Sequence, residues 1–153
     1  MFTKIKQLFT VEKESSITQE LDPLQYAAAV LLYEVAAVDG DIEEDEELLI
    51  EELLATEFSL DHEQALKLQA AARKRAQSSV QLLPAVKVIN KHYNETNKEH
   101  LFELLWQVVL ADGKREDYES ALMRRLAGLL YVSDKASGTA RRRASQKLAN
   151  QLD

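Results

Sequence analysis

Six acidic residues stand where they could do chemistry: Asp39, Glu43 and Glu46, and again Asp112, Glu116 and Glu119. Both sets follow the spacing Asp-Gly-x-x-Glu-x-x-Glu, and a shift of 73 residues superposes them. Carboxylates gathered at a glycine corner are hard oxygen donors, which suit calcium or magnesium. The first set sits in a run, Asp39 to Glu52, with nine carboxylates and no basic residue. Three readings are open: a divalent-cation site, an acidic face for a protein partner, or the solvated start of a helix.

The corner matches only the back half of an EF-hand calcium loop. Asp39, Gly40, Ile42 and Glu46 fill that half, but the front half would need side-chain oxygens where Val35 and Ala37 stand. The second copy fails likewise at Val108 and Leu110, and Arg115 replaces the apolar residue. A single corner would therefore give a weak, partly hydrated site, and the two corners together would supply more ligands. Against this, Asp41, Glu43 and Glu44 suit a helix N-terminus, where the macrodipole favours acids by roughly 0.3–1 kcal/mol each. That does not account for nine acids without a counter-charge, because crowded like charges repel.

The elements that position these residues are helices. Ala, Leu, Glu, Lys, Gln and Arg dominate, and only 4 Gly and 2 Pro are present, so the chain reads as all-α. Met1–Phe9 reads as a short amphipathic helix, followed by a linker to residue 21. Lys4 and Lys6 allow peripheral membrane association there, although packing on the domain or fraying is the simpler outcome. Asp22-Pro23 starts a nearly all-apolar helix that Asp39-Gly40 ends. Asp41 with Glu44 is expected to cap the next helix, Ile42 to Glu57. Ser59 or Asp61 opens another, to about Ala76. Leu82–Tyr93 follows, then a helix capped by Thr96 with Glu99 and ending at Ala111. Glu116–Leu130 comes next, and last a more polar helix that Gly138 could interrupt.

The shift of 73 also matches Tyr33 to Trp106, Val35 to Val108, Leu49 to Leu122, Leu53 to Leu126, Phe58 to Tyr131 and Asp61 to Asp134. A helical stripe alone would not put Asp-Gly and two acids in register, so the chain carries an internal duplication. Its halves cover residues 24–61 and 97–134 within a domain of 22–153. Tyr33 and Trp106 read as core.

At 153 residues with 46% hydrophobic content the chain suits one domain with a real core. The absence of cysteine excludes disulfides and thiolate chemistry. No apolar run is long enough for a transmembrane segment, and no signal peptide is legible, so a cytoplasmic location is the default expectation. A net charge of −7 argues against nucleic acid as the main partner, despite Arg141, Arg142 and Arg143. His62, His92 and His100 have no zinc spacing. No phosphate loop or nucleophile arrangement is legible, so a non-enzymatic domain is expected.

The stretches "LLYEVAAVDGDIEEDE", "VINKHY" and "LFELLWQVVLADGKREDYESALMRRLAGLLYVSD" resemble the TerB-like family, the tellurite-resistance-associated helical domain. The resemblance covers about Leu24 to Asp134 and is closest to stand-alone bacterial members. It implies a compact bundle of about seven to eight helices built from two repeats. It also implies metal chelation at the corners by Asp39, Glu43, Glu46, Asp112, Glu116 and Glu119. Lys114 and Arg115 depart from the family pattern and weaken the second corner as a cation site. Related domains fused to co-chaperone and membrane-linked modules imply an adaptor or stress-response role with a protein partner.

Overall fold

Asp22 begins the fold. Its carboxylate accepts from the Leu24 and Gln25 amides, at 2.8 and 3.2 Å, and Pro23 fills the first helical position without needing a donor. The computed structural model describes residues 21–38, 40–77, 82–112 and 116–152; for 76, 77, 112, 116–120 and 152 it describes the backbone alone. The expected helix over Met1–Phe9 and its linker lie outside the described residues, as does Asp39.

Seven helices and no strand are present among the described residues. They are α1 (Pro23–Ala36), α2 (Glu44–Phe58), α3 (His62–Gln77), α4 (Leu82–His92), α5 (Glu95–Asp112), α6 (Glu116–Leu129) and α7 (Asp134–Leu152). The two nearly all-apolar helices, α1 and α5, are the central pair. Ala27 to Tyr33 and Leu101 to Val109 are buried without interruption. A helix apolar all round must be covered on most sides. α1 is covered by α3, α4 and α5, while α5 packs chiefly on α7.

The duplication shows in three dimensions. Ile50, Leu53 and Leu54 of α2 are buried, and so are Met123, Leu126 and Ala127, their counterparts on α6. Both helices end on a left-handed residue, Ser59 (φ 52°) and Tyr131 (φ 58°). Each end is closed by the next amide, Leu60 to the Ala55 carbonyl and Val132 to the Ala127 carbonyl, both at 2.9 Å. So the expected pairing of Phe58 with Tyr131 is off by one residue: Ser59 is the counterpart of Tyr131, because α6 ends earlier than α2 does relative to the buried pattern. The cap residues shift with it. Asp61 caps α3 and Ser133, not Asp134, caps α7.

Three other boundaries differ from expectation. Glu43 with Glu46, rather than Asp41 with Glu44, forms the capping box of α2. The turn at Gly40 consumes two more residues before helical geometry begins. α5 is capped by Asn94, which accepts from the Asn97 amide at 2.8 Å, two residues before the expected cap at Thr96. Gly138 does not interrupt α7, because packing on α5 outweighs the roughly 1 kcal/mol helix cost of glycine.

Candidate functional site

The first corner is built by local hydrogen bonds. α1 closes with the Ala37 amide on the Tyr33 carbonyl (2.9 Å), and the Gly40 amide returns to the Ala37 carbonyl (3.0 Å). Gly40 has φ +121°, which an L side chain rarely adopts, and a Cβ there would meet nothing within 4 Å. Glycine is needed for the backbone, not for space. The Glu43 amide then donates to Glu46 Oε1 at 3.3 Å, while the Glu43 carboxylate receives the Glu46 amide. Glu44, Asp45, Glu46 and Glu47 all fall in the first turn of α2, where the helix dipole favours them.

A polar network ties this corner to α3. Tyr33 is fully buried, and its hydroxyl donates to Glu47 Oε2 at 3.2 Å. Gln69, also buried, donates from Nε2 to the Tyr33 hydroxyl at 3.0 Å and to the Glu47 carbonyl at 2.8 Å. Arg73, one turn beyond Gln69, donates from Nη2 to the same Glu47 oxygen and lies 6.0 Å from the centre of the Tyr33 ring. Burial pushes the Tyr33 hydroxyl above its ordinary pKa; Glu47 adds to this and Arg73 opposes it. Tyr33, Ala37, Gly40, Asp41, Ile42, Glu47 and Arg73 line a cleft of about 480 Å³.

Of the six residues expected to bind metal, the structure brings Glu43 and Glu46 together, in a capping box. Glu46 is only 6% exposed. Asp39 lies outside the described residues. Asp112 ends α5 and Glu116 begins α6, with Glu119 a turn further on, and the side chains of all three also lie outside them. Among the described residues no three acidic or histidine side chains gather as a cation site. Sequence reasoning missed Gln69 and Arg73. The acidic run lacks a base of its own, but α3 supplies one. Their spacing of one helical turn was the available signal.

The rest of α2 presents a different surface. Leu48 is 57% exposed, and Glu44, Asp45, Glu51 and Glu52 stand one turn before and after it. Glu51 turns aside to His62, at 2.6 Å. At its far end α2 is latched to the second half. Glu57 Oε2 is 2.5 Å from His100 Nε2, His100 Nδ1 is 3.9 Å from the buried Glu103, and Lys147 of α7 holds Glu103 at 2.5 Å.

Comparison with known proteins gives one match. A family model described as "Tellurite resistance protein TerB" covers residues 25–142. No curated protein and no solved structure is significantly similar to the chain. The matched region takes in α1 through α6 almost whole and the first half of α7. Among the described residues no helix is long and apolar enough to cross a membrane.

Proposed function

The chain belongs to the TerB family, and we propose that it acts by binding rather than by catalysis, through the acidic face of α2. Its partner is a basic amphipathic segment of another protein. The observation that supports this most is Leu48, an exposed leucine ringed by carboxylates. An apolar anchor in a charged rim is the ordinary anatomy of a protein-binding patch. The charge would steer approach and make binding sensitive to salt. A role in stress response, including resistance to tellurite, would follow from what the face recruits. The test is capture of a defined partner by the wild type and by a variant carrying Leu48→Asp with Glu44→Gln, Asp45→Asn and Glu52→Gln. Salt-sensitive capture by the wild type, lost in the folded variant, is expected. Equal capture by both would refute the proposal.

Divalent-cation binding at the first corner is the second reading. It is favoured by the meeting of Glu43 and Glu46 in the capping box, next in sequence to Asp41, which lines the corner cleft. Such oxygen donors fit calcium or magnesium. An ion there would have to share Glu46 with the capping box. A saturable rise in melting temperature with either cation, abolished by Asp39→Asn, is the expected signature.

A further inference from the structure

The two halves build the same brace and differ in its charge. In the first half, α3 sends Gln69 to the polar atom of Tyr33 and Arg73, one turn on, over its ring. In the second half, α7 does the same to Trp106, the counterpart of Tyr33. Trp106 Nε1 donates to Ser137 Oγ at 3.1 Å, and Arg141, one turn on, lies 5.0 Å from the ring centre. These residues sit about one turn nearer the start of α7 than Gln69 and Arg73 do on α3.

What faces each arginine differs. Arg73 holds the Glu47 carboxylate, which also takes the Tyr33 hydroxyl proton. The buried residues of α2 and α6 align in the 73-residue register, and that register puts Ser120 in the place of Glu47 and Arg124 in the place of Glu51. In sequence register, the second half therefore has a serine where the first has the bridging carboxylate, and a cation one turn further on. Arg124, Ser137 and Arg141 line a cleft of about 220 Å³, backed by Trp106 and floored in part by Gly138. Ser137 Oγ accepts the indole proton, which leaves its own hydroxyl proton to donate. The Arg141 guanidinium lies over the indole, and its planar N–H fork suits a planar acceptor. A Cβ on Gly138 would meet nothing within 4 Å, so helix packing does not require glycine there.

We propose that this cleft binds a side-chain carboxylate of an acidic peptide segment of a partner protein, in the role Glu47 plays within the first half. Arg141 and the Ser137 hydroxyl would take the place of Arg73 and the Tyr33 hydroxyl, and Arg124 adds the second charge. Asp134 also lines the cleft. Its charge disfavours a dianion, so a singly charged carboxylate is preferred to phosphate. This proposal is independent of the acidic face of α2, which lies on other residues.

Trp106 is the only tryptophan, so its indole N–H gives a single assignable NMR signal. The probe is a blocked glutamate-rich peptide, with its glutamine counterpart and inorganic phosphate as comparisons. The glutamate peptide should shift the indole signal saturably and the glutamine peptide should not. Arg141→Gln and Arg124→Gln should each weaken binding at least tenfold while circular dichroism stays unchanged. Asp134→Asn should tighten it. Arg142→Gln, whose guanidinium bonds Thr139 instead, should leave it unchanged. No saturable shift, tighter binding of phosphate, or equal losses in the Arg142 and Arg141 variants would each overturn the proposal. If Arg141→Gln proves unfolded, Arg124→Gln decides alone.

Discussion

Glu47 of α2 and Arg73 of α3 form an ion pair that closes over the ring and hydroxyl of Tyr33 on α1. Three helices meet in this contact, and it supplies a counter-charge to the acidic run. Both side chains are partly exposed, so the pair itself contributes modestly. Arg73→Gln should cost about 1 kcal/mol. A double-mutant cycle with Glu47→Gln in urea should give a coupling of about 0.5–1 kcal/mol, and zero coupling would mean the pair is ornamental.

The capping box predicts an uneven response to removing acids. Glu46→Ala removes a buried group that satisfies the Glu43 amide, and should cost about 1–2 kcal/mol. Glu44→Ala, exposed and without a capping role, should change stability by less than about 0.5 kcal/mol. Equal losses in thermal denaturation would contradict the geometry.

Two glycines should respond with opposite sign to alanine. Gly40→Ala forces a side chain into φ +121° and should destabilise by more than about 1 kcal/mol. Gly138→Ala, inside α7 with room for a Cβ, should stabilise by about 0.5–1 kcal/mol. The same change should weaken the carboxylate peptide, since the new methyl group stands in the cleft wall. Melting temperatures of the two variants check the first pair of signs.

Alkaline stability should depend on Tyr93. Its pKa is pushed up to about 12, by burial first and then by the charges of Glu57 and Asp22. A raised pKa means the folded state holds the proton longer than the unfolded chain, whose value is about 10. The resulting stability is therefore complete below about pH 10 and is lost as pH rises towards about 12. Tyr93→Phe should flatten the fall in unfolding free energy over that window, and an ultraviolet titration should show a late-ionising tyrosine missing from the variant.

What the sequence made legible was local. Asp22-Pro23, the apolar runs of α1 and α5 and the repeat of Asp-Gly with two acids each carry their own signal over a few residues. The start of α2 was misplaced by two residues because the length of the Gly40 turn depends on where α2 must lie against α1 and α3. Ser133 was not legible as a cap because α6 ends early relative to its buried pattern, a change that leaves that pattern intact until the helix ends. The partners of Tyr33 and Trp106 showed in the sequence only as polar residues one helical turn apart, with nothing to say what they meet. They come from α3 and α7, tens of residues away, and depend on how those helices cross the central pair. The corner itself was half legible: Glu43 and Glu46 do meet, but in a helix cap.

Lys147 reaches Glu103, Glu103 faces His100, and His100 meets Glu57, so an unbroken row of polar, ionisable side chains runs from α7 through α5 to α2. Arg141 stands on the same α7 helix, two turns before Lys147. A rigid helix transmits a small rotation along its whole length. A tug at the basic cleft would therefore be felt at the far end of the acidic helix. Were both proposed faces occupied, this row would join a basic grip to an acidic one, as the linkage of a two-handed clamp joins its jaws.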